Sequence, residues 1–184
     1  MGDVHALRPL RPAAQVSRAT SSTHALSRLL GSGRSMNEYE IAASALLRRE
    51  RVGVRRYRSA TTGRAYHDGS IVAPRARGPI SFATLAHEVG HVACEHVGPD
   101  RRRQPRYVEE VEAWEYALAC FERFELKGVE RAHVDAAQCI AYAFSKAIRR
   151  GASLDAIRER FPSWWADALK HERYGRLARD VARA

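Results

Sequence analysis

Between residues 37 and 49 the apolar side chains Tyr39, Ile41, Ala42, Ala45 and Leu46 share one side of a helix that Asn37 can cap. The period then changes. Val52, Val54 and Tyr57 predict one or two strands through Arg58, Thr61-Thr62-Gly63 a turn, and residues 64–66 a further extended piece. Asp68-Gly69 reads as a hairpin turn before a strand over 70–73. Helical spacing returns with Phe82, Leu85, Val89 and Val92, in a helix over 81–96 that Ser81 can cap, with Pro79 just outside and Gly98-Pro99 as its stop. A second helix covers 107–121. After Gly128, the positions Val134, Ala137, Ala141, Phe144 and Ile148 mark a third, closed by Gly151. Short helices follow from Ser153 and Pro162, with Trp164 and Trp165 covering the core, and the last stretch is a basic helix or frayed tail. The pattern predicts one α+β domain over 36–184, mainly helical with a small, mostly antiparallel sheet and a C-terminal helical cap. Residues 1–35 lack sustained periodicity and carry Arg8, Arg11, Arg18, Arg28 and Arg34 among small and polar residues, the composition of a flexible basic leader.

Composition narrows the class. A chain of 184 residues, 45% hydrophobic and 28% charged, suits a soluble domain with a real core. No run approaches a membrane span and no apolar signal segment is evident, so a cytoplasmic protein is expected. The cysteines Cys94, Cys120 and Cys139 are scattered and odd in number, as small core residues in a reducing compartment would be. The formal net charge of +10 favours polyanionic partners, nucleic acid chief among them. The cluster Arg101-Arg102-Arg103 with Arg106 reads as a solvated loop, against the sharper view that it rims a cleft and selects acidic substrate segments.

The chemistry is concentrated in His87-Glu88-Val89-Gly90-His91. On a helix, residues four apart stand on one face, so the two imidazoles can share one metal ion. Glu88, about 100° round the helix, can reach a water in the open coordination position. The apolar stripe lies opposite the histidines, which therefore look away from the core. A third protein ligand is needed. His96 falls on the far side of the wheel from His87 and His91 and is better read as a packing or helix-end histidine. In the next helix the wheel puts Glu109, Glu112, Glu115 and Glu122 on the polar side. Glu110 falls in line with Ala113, Trp114, Ala117 and Phe121, on the face that should be buried, where a carboxylate needs a cation. A zinc ion is one such partner and an arginine the rival. A short antiparallel pair of helices would bring Glu110 over His87 and His91.

His-Glu-x-x-His followed by Glu110-Val111-Glu112-Ala113 resembles the gluzincin type of zinc metallopeptidase, and is similar to the ImmA/IrrE family and to ArdC-like metallopeptidase domains of phage and plasmid proteins, over about residues 36–125. The resemblance implies a zincin-like fold, Zn2+ held by His87, His91 and Glu110, Glu88 as general base, and cleavage of a peptide bond in a specific intracellular regulatory protein. Where related families carry Asn or Asp four residues after the ligating glutamate, this chain has Trp114. In zincins an edge strand commonly borders the cleft, and by position 69–73 is the candidate here. Tyr107 and His133 are weaker candidates for an oxyanion-stabilising group. The alternative class is a non-catalytic zinc-containing regulator that binds DNA or a partner.

Overall fold

The structure is a computed structural model that describes residues 36–184 apart from Asp100, Arg102, Tyr174 and Ala184; the leader expected over 1–35 lies outside the described residues. The order of elements is α1 (Glu38–Arg49), β1 (Val54–Arg58), β2 (Arg64–Ala65), β3 (Ile71–Pro74), α2 (Pro79–Ala93), α3 (Arg106–Arg123), α4 (Val129–Ile148), α5 (Leu154–Arg160), α6 (Pro162–His171) and α7 (Arg176–Val181). The class is therefore α+β and mainly helical, as the periodicities predict. Among the described residues no helix is long and apolar enough to cross a membrane.

Asn37 caps α1 reciprocally: its side chain accepts from the Glu40 backbone amide at 2.9 Å, and the Glu40 carboxylate accepts from the Asn37 amide at 3.2 Å. The sheet has the order β1-β3-β2. β2 and β3 pair antiparallel around the predicted Asp68-Gly69 turn, but β1 pairs parallel with β3, so the sheet is mixed rather than mostly antiparallel. A parallel partner must be reached by a crossover, here the segment 59–70 that carries β2. β3 is central and wholly buried, which removes 69–73 as the edge strand.

α2 begins three residues earlier than its capping signal suggests. Pro79 is the first helical residue, and Ser81, inside the first turn, reaches back to accept from the amides of Arg77 and Gly78 at 2.9 and 3.1 Å. The helix also stops before Gly98-Pro99. Glu95 adopts φ +61°, the His96 amide donates to the His91 carbonyl at 2.9 Å, and the Glu95 amide to Val92 at 3.1 Å. This left-handed reversal, normally a glycine's place, turns the chain back over the last turn of the helix.

Phe82, Leu85 and Val89 of α2 enter one core with Val111, Trp114 and Phe121 of α3 and Ile140 and Phe144 of α4. Trp164 and Trp165 cover it from α6 as expected. The C-terminal segment is not frayed: α7 buries Leu177, and its Asp180 accepts from Ser145 Oγ of α4 at 2.6 Å. Of the cysteines only Cys120 is a core residue; Cys94 is half-buried and Cys139 exposed.

Candidate metal centre

Contacts between α2 and α3 run in opposite directions along the two helices. Phe82 meets Phe121, His87 lies on Trp114, and His91 faces Glu110. The pair is therefore antiparallel, and it is unusually close where Gly90 passes Ala113. A Cβ at Gly90 would stand 2.8 Å from the Ala113 carbonyl oxygen. This approach carries Glu110, one turn before Ala113, to the histidines.

His87 Nε2 lies 3.4 Å from Glu110 Oε2, and His91 Nε2 lies 3.8 Å from Glu110 Oε1. One ligand atom from each of His87, His91 and Glu110 falls within 4.8 Å of the others. Tetrahedral bonds of about 2.1 Å separate neighbouring ligand atoms by roughly 3.4 Å, so a small contraction encloses an ion. His91 Nε2 is buried and has no hydrogen-bond partner among the described residues, which is costly for a polar atom unless something else occupies its lone pair. Charge states agree with ligation, which requires neutral imidazole and ionised carboxylate. Burial, with His87 beside it, holds His91 far below the ordinary imidazole value, at about 2. Burial pushes Glu110 up, but His87, His91 and Arg106 together outweigh it and hold the carboxyl below its usual range. These residues fit a metal ion.

Glu88 stands one position round the helix and is only 6% exposed. Burial pushes its carboxyl up to about 7; Glu110 adds to this, while His87, Arg106 and a hydrogen bond from the Ala65 backbone act against it. The fit is close. A Cβ at Gly63 would fall 2.4 Å from Glu88 Cγ, so glycine alone leaves room for the carboxylate there. His87, Glu88, His91 and Glu110 line a polar cavity of about 440 Å3, bounded by Gly63, Arg64 and Ala65. The strand bordering the site is thus the short edge strand β2. Beyond it a groove of about 1110 Å3 shares His87, Glu88 and Glu110 and continues along Asp135, Cys139, Tyr142 and Lys146 of α4.

Several neighbours depart from the sequence reading. Glu109, assigned to the polar side, is completely buried and accepts from Arg101 and Arg106 at 2.9 and 3.0 Å. Glu110 keeps 20% of its side chain exposed, toward the cavity. A wheel with one buried face fails because α3 packs on both α2 and α4 while the preceding loop folds over its first turn. That loop is accordingly not a simple solvated cluster: Arg106 also reaches Glu110 Oε1 at 2.7 Å. The spacings 106–109 and 106–110 were the available signal for both pairs. His96 is not one of the three converging groups, but the Glu95 reversal places its ring against His91 rather than on the far side of the helix, with Nδ1 to Nδ1 at 2.9 Å. Trp114 lays its ring 4.3 Å from that of His87, whose Nδ1 has no hydrogen-bond partner. Tyr107 lines the groove. His133 stacks on Trp164 and pairs with Asp167 at 3.4 Å, and lines neither cavity.

No family model, curated protein or solved structure matches this chain.

Proposed function

We propose that the chain is a zinc-dependent peptidase of the His-Glu-x-x-His type, zincin-like in fold and akin to the ImmA/IrrE and ArdC-like enzymes its motifs resemble. The observation that carries this reading is the placement of a buried carboxylate, Glu88, beside three converging side chains, His87, His91 and Glu110. A site that only held a metal for stability would need no such group.

When bound, the ion supplies Lewis acidity for the scissile carbonyl and acidifies a water molecule. Glu88 accepts the proton of that water and returns it to the leaving amine, so one carboxyl serves as base and then acid. Arg106, whose guanidinium lies on Glu110 and lines the cavity, would be a cation available to the developing oxyanion. The groove runs from the cavity along α4, which gives room for an extended polypeptide segment as substrate.

Wild-type protein is expected to bind one zinc ion per chain, with His87→Ala and Glu110→Ala losing it. Glu88→Gln should keep metal and fold while cleavage of a proteome-derived peptide library falls by about 10²–10⁴-fold. Cleavage that survives Glu88→Gln undiminished sinks the reading.

A further inference from the structure

We infer that His96, backed by Glu112 and Gln104, is the positioning group of the metal centre: it fixes His91 in the tautomer and orientation that leave Nε2 bare for the ion. The inference rests on the metal-centre reading above and assigns no contact between His96 and the ion or substrate.

With His96 neutral, the geometry decides the direction of each hydrogen bond. His91 Nδ1 and His96 Nδ1 are 2.9 Å apart, so one must donate and the other accept. At the far side of the His96 ring, Nε2 lies 2.8 Å from Glu112 Oε2. The same oxygen accepts from Gln104 Nε2 at 2.8 Å, which favours the ionised carboxylate. A carboxylate can only accept, so His96 Nε2 carries hydrogen. In the neutral ring Nδ1 is then an acceptor, and His91 must donate from its own Nδ1. His91 Nε2 is left with a lone pair, and it is the atom that finds no other partner. The opposite tautomer of His96 would set a lone pair against the Glu112 carboxylate.

The backbone enforces the same pairing. The left-handed Glu95 returns the His96 amide to the His91 carbonyl, so backbone and ring of His96 both engage His91. Both rings are sealed from solvent, with His91 2% and His96 1% exposed. His87 has no equivalent; its ring rests on Trp114. Outer partners of this kind raise metal affinity by orienting the ligand they touch.

The test uses the full chain with cobalt(II) and zinc as probes. In the metal-free protein, long-range 1H–15N NMR should find His91 protonated on Nδ1; protonation on Nε2 overturns the inference. His96→Phe should weaken both metals by about 10–100-fold in competition with a chelator and alter the visible spectrum of bound cobalt. His96→Asn, which keeps an acceptor near the place of Nδ1, should recover part of both. Should His96→Phe fail to fold, Glu112→Leu carries the same comparison. A folded His96→Phe, or failing it Glu112→Leu, with wild-type affinity and spectrum overturns the inference alone. Wild-type protein that takes up neither metal overturns the metal-centre reading and this inference with it.

Discussion

At the scale of single residues, Glu88 depends on an atom that is missing. Its carboxylate occupies the space where any other residue at 63 would carry a Cβ. The Glu88 side chain can give way only into the cavity it lines, and in doing so it leaves the hydrogen bond it accepts from the Ala65 backbone. Gly63→Ala should therefore move the proposed base while leaving His87, His91 and Glu110 in place. Misplacing a catalytic group by about 1 Å costs on the order of 10²-fold in rate. The expected outcome is a loss of that size in kcat, with metal content and Tm near wild type. Retained turnover in a folded Gly63→Ala variant counts against Glu88 as the base. Nothing in the local sequence singles out Gly63, because the contact joins a turn to a helix 25 positions later (88 − 63). His87, Glu88 and His91 were legible because their geometry is local to one helix.

At the scale of elements, the close approach of α2 and α3 holds the three proposed ligands together. Two effects compete at Gly90. Alanine is the better helix former by about 0.8–1 kcal/mol. Its Cβ, however, would meet the Ala113 carbonyl oxygen at 2.8 Å and the Ala113 Cα at 3.1 Å, and backbone cannot rotate away as a side chain can. Overpacking of this kind costs about 1–3 kcal/mol, so packing should win. Gly90→Ala is expected to lower Tm by several degrees and to weaken metal binding together with it, since Glu110 rides on the helix that is displaced. Thermal unfolding and chelator competition on the same sample check this; an unchanged Tm refutes the packing argument. The apolar stripes made both helices legible, but not where they end. α1, α2 and α3 all finish on a charged residue in the left-handed region: Arg51, Glu95 and Glu125. Such residues carry no glycine signal, so the reversal that delivers His96 to His91 was invisible to a helical wheel, as was the burial of Glu109 against Arg101 of the preceding loop and Arg106.

At the scale of the whole molecule, the question is where the excess positive charge acts. The helical class was readable from periodicity, while the parallel β1–β3 pairing was not, because it joins segments separated by the β2 crossover. Charge shows the same division between sum and placement. The net +10 is a property of composition, yet Arg101 and Arg106 are occupied by Glu109 and Glu110. The groove tells more. It leaves the proposed metal site along one face of α4, and 135 to 150 spans about 22 Å at 1.5 Å per residue. Toward 150 its lining includes Lys146 and Arg150, while Arg173 acts on Asp135 nearer the site; Glu172, also in the lining, already accepts from the amides of Leu177 and Ala178. A polypeptide lying there with acidic side chains distant from the scissile bond would be held at that end. Added salt should weaken such a substrate, since the Debye length falls from about 10 Å at 0.1 M to about 3 Å at 1 M. Binding of fluorescein-labelled peptides to Glu88→Gln protein isolates this step from catalysis. An alternating Glu/Ala dodecapeptide is expected to bind at least tenfold more tightly than its Gln/Ala counterpart. That preference should shrink in Lys146→Gln/Arg150→Gln protein and with rising salt. Equal affinity for the two peptides would mean that the positive charge serves some surface other than the groove.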